Sequence, residues 1–278
     1  MLLITGSNGQ LGNELRLLLG DSAVYIDRDD LDITDEAAVK AFFEAQSFDF
    51  VINCAAYTAV DKAEDDFEAA DRINRLGPAL LAKYGRRIIQ VSTDYVFDGT
   101  AHLPYKEEDA ANPASVYGST KLAGEEAVLT EAETAVVIRT AWLYSSFGAN
   151  FVKTMRRLGA ERESLGVIFD QIGTPTYAAD LAAAIVAMLP QIKSGTKEVY
   201  HYSNEGVASW YDFAVAVMRE SGLSCAVRPL ETSEYPTKAT RPAYSVLNKA
   251  KIRRDFGLSI PHWMDGLKRC IAKLNEQA

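Results

Sequence analysis

A phenol and an ammonium stand four residues apart in the stretch SVYGSTKLAGEE, residues 115–126. Of the 13 tyrosines, only Tyr117 has a lysine, Lys121, at the fourth position after it. On a helix this spacing puts both side chains on one face. The chemistry it suits is protonation of an alkoxide that develops when a ketone is reduced. A free phenol, with a pKa near 10, takes little part at neutral pH. A nearby ammonium favours the phenolate and brings that pKa toward the working range. Lys121 can also bond the ribose of a bound nucleotide. Thr93, in VSTDYVFDG, offers a hydroxyl to a ligand carbonyl. The plain alternative is a surface helix with a snorkelling lysine. The order of the remaining motifs outweighs it.

The first of these motifs is TGSNGQLG, which places Gly6, Gly9 and Gly12 between an apolar run and a helical pattern. Glycine at these points permits a tight turn, close approach of the backbone to a pyrophosphate, and close packing of helix on strand. Helix N-terminal amides then face the phosphates with a favourable dipole. Gly6, Asn8, Gly9, Gln10 and Leu11 are therefore cofactor-binding candidates. Asp27 lies 21 positions after Gly6, where an acidic residue holds the adenosine ribose hydroxyls. An aspartate there disfavours a 2′-phosphate, whereas the adjacent Arg28 accepts one, so NADPH or NADH is expected. Asp32 and Ile33, in LDITD, are placed near the adenine, and Ala55, Ala56 and Tyr57 along the cofactor path.

These residues need elements to position them. LLITG, AVYIDR, DFVINCAA, RRIIQVSTD and TAVVIRTAW are short apolar runs rich in β-branched residues, as in strands buried on both faces. Helical patterns alternate with them, which predicts parallel βαβ units and a Rossmann-type, doubly wound α/β sheet. After Trp142 the rhythm breaks into three helical patterns, one further strand (EVYHYSN) and loops rich in proline and threonine. The expected division is a dinucleotide-binding domain over 1–145, with about 178–203 returning to it, and a smaller substrate-binding domain over 146–278.

The 278 residues are 48% hydrophobic, ample for a buried core. The net charge of −9 and the lack of a basic run disfavour nucleic acid and anionic membranes as partners. Met1 leads into LLIT without a charged leader, and no apolar run has transmembrane length. Cys54, Cys225 and Cys270 are scattered, as are His102, His201 and His262, so neither a disulfide framework nor a metal site is expected. These features predict a cytoplasmic protein.

The order of glycine loop, STD and Y-G-x-T-K resembles the extended short-chain dehydrogenase/reductase family. Within it, GSNGQLG, LDITD, AAYTAVDKAE, STDYVFDG, YGSTKLAGE and RTAWLY are similar to the dTDP-4-dehydrorhamnose reductase subfamily. NFVKTM, DQIGTPT and RPAYSVL extend the likeness over nearly the whole chain. The resemblance implies reduction of the C4 ketone of a dTDP-sugar by NADPH or NADH, with Thr93, Tyr117 and Lys121 as the catalytic residues. It implies substrate contacts from Thr93, Asp94, Trp142 and Asn150, and Asn74 as a support of the lysine through water. Arg241, in ATRPAYS, is a diphosphate candidate because guanidinium binds phosphate oxygens bidentately. Some members dimerise through a metal ion held by glutamates. Glu14 matches one such position, but Ala178 and Ala179 stand where another is sought. The expectation is no metal, a monomer or weak homodimer, and Glu14 as a helix-surface residue. Two rivals are a 4,6-dehydratase, disfavoured because Tyr95 follows Asp94 where a second carboxylate is needed, and a non-catalytic NAD(P)-binding regulatory subunit.

Overall fold

The structure, a computed structural model, describes residues 1–277. Each strand pattern of the first half becomes a parallel strand: β1 (Leu2–Thr5), β2 (Ala23–Ile26), β3 (Phe50–Asn53), β4 (Arg87–Thr93) and β5 (Thr134–Thr140). Helices α1 (Gln10–Leu19), α2 (Glu36–Ala45), α3 (Val60–Ala63), α4 (Phe67–Asp71), α5 (Gly77–Gly85) and α6 (Val116–Glu131) connect them. Between α4 and α5, residues Arg72–Leu76 widen into a π-helical turn. Such turns recur at functional sites.

The second half adds β6 (Leu143–Tyr144), α7 (Phe151–Glu161), β7 (Ser164–Ile168), β8 (Ile172–Gly173), β9 (Thr176–Tyr177) and α8 (Ala178–Met188). There follow β10 (Lys197–His201), β11 (Ala208–Ser209), α9 (Trp210–Glu220), β12 (Ala226–Leu230), α10 (Ala250–Phe256) and α11 (Trp263–Glu276). The main sheet runs β10-β5-β4-β3-β1-β2, parallel throughout. The expected α/β class and doubly wound sheet are thus present. The direction of winding reverses between β1 and β3, and ligands bind outside the carboxyl ends of strands at such a reversal.

Two apolar clusters cover the faces of the sheet. One holds Ile4, Ile52, Ile138, Leu181 and Ile185, so α8 packs on the sheet together with Ile252 of α10. The other holds Leu3, Val51, Leu81, Ile88 and Val128. A third cluster, around Tyr144, Phe213, Val217, Trp263 and Leu267, belongs to the second half. Three two-stranded pairings, β7 with β12, β8 with β11 and β6 with β9, join segments far apart in sequence, and local patterning does not reveal them. Among the described residues no helix is long and apolar enough to cross a membrane.

Candidate active site

The carboxyl ends of β1, β3 and β4 open into one cleft of about 1120 Å³. That exceeds the ~300–1,000 Å³ of a typical single-ligand pocket and suits two ligands side by side. Its floor is the glycine turn. Gly6 adopts φ +65°, and a Cβ there would lie 2.5 Å from the Ala55 amide nitrogen across the β1–β3 reversal. A Cβ on Gly12 would lie 2.5 Å from Ser7 Cα, so α1 can start this close to β1 only with glycine. Gly9 caps α1 without a side-chain hydrogen bond, leaving the helix N-terminal amides to a ligand.

Gly6, Asn8, Gly9, Gln10 and Leu11 line this end of the cleft, with Asp27, Arg28, Asp32, Ile33, Ala55, Ala56 and Tyr57. Asp27 Oδ2 accepts the Asn8 amide at 2.9 Å, tying the end of β2 to the glycine turn. The Asp32 carboxylate is held below its usual range by the Thr34 amide and hydroxyl, with Arg72 and Arg28 adding attraction. Arg72, from the π-helical turn, also lines the cleft and bonds Thr34 Oγ1 at 2.9 Å. It is a second cation at the adenosine end that spacing did not single out. Gln10 Oε1 and Tyr57 Oη, both from lining residues, are buried without a protein partner. The glycine cradle, paired acid and arginines, and unpaired polar atoms fit a dinucleotide.

Thr93, Asp94, Tyr117, Lys121 and Trp142 line the other end. Thr93 closes β4, and its hydroxyl accepts the Tyr95 amide at 3.2 Å and donates to Asp94 Oδ1 at 3.0 Å. Ser115 caps α6 by accepting the Gly118 amide at 3.1 Å, which starts the helix where Tyr117 faces Thr93. Burial pushes the Tyr117 phenol above its ordinary range, and its hydrogen bond with Thr93 opposes this. Burial likewise raises Asp94 to about 6, opposed by the Ser245 and Thr93 hydroxyls near it. Lys121 is 3% exposed, and burial lowers its ammonium to about 8.

Lys121 also grips the strand beneath α6. Its Nζ donates to the Val91 carbonyl at 2.7 Å. Burial is the largest influence on the phenol, followed by Thr93, Asp94 and Tyr95. One donor of the ammonium is taken by the strand beneath, which leaves two for a ligand.

Four further placements bear on the sequence reading. Asn150 does not line the cleft: its Nδ2 donates to the Ser145 and Phe147 carbonyls at 2.7 and 3.2 Å, and its Oδ1 caps α7 through the Lys153 amide. Asn74 bonds Tyr57 and the Thr120 hydroxyl, so it clamps the Tyr57 backbone to α6. Arg241 lines the cleft, but Nη2 pairs with Asp61 at 2.7 Å and Nη1 bonds Tyr95 Oη at 3.1 Å. Glu14 is not on the surface: it is 2% exposed, with Ser145 Oγ at 2.6 Å and Lys273 Nζ of α11 at 3.0 Å.

Trp142 has φ 49°, a region side chains rarely adopt. Its ring stacks on Trp210 with centroids 3.6 Å apart, and both line the cleft. A Cβ on Gly173 would meet the Trp142 ring at 2.6 Å, so glycine there gives the tryptophan its seat. Trp210, on α9, has no local signal linking it to Trp142.

Residues 1–276 match the family described as RmlD substrate binding domain. The chain is 40% identical to a dTDP-4-dehydrorhamnose reductase of Aggregatibacter actinomycetemcomitans, covering 96% of this chain and 97% of the relative. It is 39% identical to the spore coat polysaccharide biosynthesis protein SpsK of Bacillus subtilis, over 96% and 95%. Among solved structures, a dTDP-4-dehydrorhamnose reductase of Clostridium acetobutylicum superposes with TM-score 0.95 at 43% identity, covering 99% of both chains. That of Bacillus anthracis, in complex with NADP, superposes with TM-score 0.94 at 37% identity over 98% of both. Matched over nearly its whole length, the chain belongs to the RmlD substrate binding domain family.

Proposed function

We propose that the chain reduces the C4 ketone of dTDP-4-dehydro-L-rhamnose to give dTDP-L-rhamnose, as an NAD(P)H-dependent oxidoreductase. The observation that carries the reading is the convergence of Thr93, Tyr117 and Lys121 beside a glycine cradle in one cleft, in a chain of this family.

Bound NAD(P)H supplies the hydride. Gly6, Gly9 and the α1 amides would hold its pyrophosphate, Asp27 its adenosine ribose, and Arg28 with Arg72 a 2′-phosphate. The ketone oxygen is taken between Thr93 Oγ1 and Tyr117 Oη. Tyr117 keeps its proton at neutral pH because burial disfavours the phenolate. It then gives that proton to the alkoxide, a far stronger base, while Thr93 turns its one hydroxyl proton from Asp94 Oδ1 to the same oxygen. Lys121, cationic below about pH 8, would bond the cofactor ribose. The stacked Trp142 and Trp210 offer an aromatic wall to the substrate. Arg241 can hold the diphosphate by sharing or leaving the Asp61 carboxylate. Holding the distant nucleotide in this way sets the ketone in a reactive pose.

The reading takes the enzyme as a cytoplasmic monomer or weak homodimer, supported by its acidic balance and three free cysteines. A panel assay tests the function: NADPH oxidation is followed with 4-keto sugars carried on several nucleotides. Oxidation fastest with the dTDP-sugar is expected. A folded protein that binds NADPH yet oxidises it with none of them would overturn the proposal in favour of a binding subunit.

A further inference from the structure

Two successive turns of α6 grip two successive residues of β4. Lys121 Nζ donates to the Val91 carbonyl at 2.7 Å. One turn later, Glu125 accepts a hydrogen bond from Ser92 Oγ. Thr93 is the next residue of that strand. Arg139 of β5 holds the same carboxylate: its Nε reaches the two oxygens at 3.0 and 3.1 Å, and its Nη2 reaches Oε2 at 2.7 Å. The Glu125 and Arg139 side chains are 2% and 6% exposed. An ion pair buried this deeply is a poor device for stability alone, because desolvation offsets the attraction. Its location points to another task.

We infer that Glu125 is a positioning residue for Lys121: it docks the catalytic helix on strand β4 and supplies the counter-charge to the buried ammonium. The inference rests on the role given to Lys121 under the proposed function. The surroundings support it. From α6, Lys121 has Tyr117 and Glu125; from the end of β3, Cys54; from β4, the Val91 carbonyl and, through Glu125, the Ser92 hydroxyl; from β5, behind Glu125, Arg139. The Cys54 thiol is pushed up to about 12 by burial and is neutral in the working range. Tyr117 stays protonated as well. His201 of β10, near Arg139, is driven down to about 3 by burial and by that guanidinium, so it too is neutral. Asn74 and Thr120 pair with each other and carry no charge. Burial lowers Lys121, and Glu125 is the largest influence opposing it.

The sign follows. Lys121 loses its proton as pH rises through about 8. Removing the Glu125 charge lowers that point further. The alkaline limb of kcat/KM, and of NADPH affinity, should therefore move to lower pH by about one unit. A carboxylate that served structure alone would lower Tm and leave the limb in place.

The test uses two variants. Glu125→Gln keeps an acceptor for Ser92 but strands the Arg139 charge. Glu125→Gln/Arg139→Gln leaves neither charge of the pair buried alone, so a folded protein is retained for measurement. The pH profiles of kcat/KM and NADPH Kd are compared with wild type, with Lys121→Met run in parallel. The expected result is a limb moved acid-ward in both profiles. An unmoved limb in folded Glu125→Gln, where the remaining Arg139 cation can only add to the shift, while Lys121→Met abolishes the limb, overturns the role of Glu125 and leaves that of Lys121 intact; the double variant, lacking both charges, should move the limb less. A wild-type limb in Lys121→Met overturns the reading of the lysine, and this inference with it.

Discussion

Gly118 follows Tyr117 on the first turn of α6 and sets how closely that turn lies on the loop after β4. A Cβ at this position would be 2.2 Å from the Tyr95 carbonyl oxygen and 3.0 Å from Pro113 Cβ. The first contact is with backbone, so no rotamer change relieves it. A tolerable separation of at least 3.0 Å requires the helix to withdraw by roughly 1 Å. The adjacent Tyr117 must move with it, away from Thr93. A misplacement of about 1 Å costs on the order of 10²-fold in rate. Overpacking of this kind costs about 1–3 kcal/mol of stability, or roughly 2–12 °C in Tm for a chain of this size. Gly118→Ala should therefore lose about a hundredfold in kcat/KM, while NADPH affinity changes far less because the glycine turn after β1 is untouched. Steady-state kinetics, NADPH titration and thermal unfolding measure the three quantities. Ser119→Ala is the control, since its hydroxyl bonds only the Val116 carbonyl of the same helix. A Gly118→Ala enzyme with a lowered Tm but wild-type turnover would refute the argument that helix seating places the phenol.

Other outcomes follow from single residues. Tyr117→Phe should keep the fold and lower turnover by roughly 10²–10⁴-fold, as expected for loss of a positioned acid; stopped-flow kinetics at saturating cofactor check this. Arg28→Ala should weaken NADPH more than NADH, by about 1–3 kcal/mol if a charged hydrogen bond is lost; equal loss in paired titrations would show that Arg28 does not read the phosphate. Asn150→Ala should cost about 1 kcal/mol of stability through the lost cap of α7 and leave the substrate KM unchanged. His201 is held neutral in the fold, with its pKa lowered to about 3, whereas the unfolded chain takes up that proton near 6.5. Stability should thus fall as pH drops below 6.5, by about 3 kcal/mol at roughly pH 4.5. Denaturant unfolding of His201→Gln should give a shallower acid limb.

The parts of the site that were legible in the sequence depend on neighbours along the chain. The Tyr117–Lys121 spacing is a property of one helix, and the glycine turn is a property of one strand-to-helix junction. The strands of the main sheet were readable for the same reason, because burial on both faces leaves an unbroken apolar run. What was not readable depends on residues distant in sequence. Glu14 has the pattern of a solvated helix face until Ser145 and Lys273 close on it, and Lys273 lies 259 positions away. Arg241 looked free until Asp61, 180 positions earlier, claimed one edge of it. Trp210 reaches the cleft only because α9 packs beside the loop that carries Trp142. Asn150 is a different case: an asparagine just before a helical run is a cap signal, and the structure shows that cap on α7. The hold of Lys121 on the Val91 carbonyl is hidden by depth. Spacing shows that two side chains share a face, but not that one of them is drawn into the strand below.

The central claim is that this cleft transfers a hydride to C4 of a dTDP-linked 4-keto sugar while Tyr117 supplies the proton. Incubation with dTDP-4-dehydro-L-rhamnose and NADPH deuterated at the transferring position, followed by NMR of the sugar product, tests it most directly. The account predicts dTDP-L-rhamnose with deuterium at C4, formed in step with NADPH oxidation and slowed by roughly 10²–10⁴-fold in Tyr117→Phe. Recovery of unreduced ketone from a folded, NADPH-binding protein, or a product carrying deuterium elsewhere on the sugar, would contradict it.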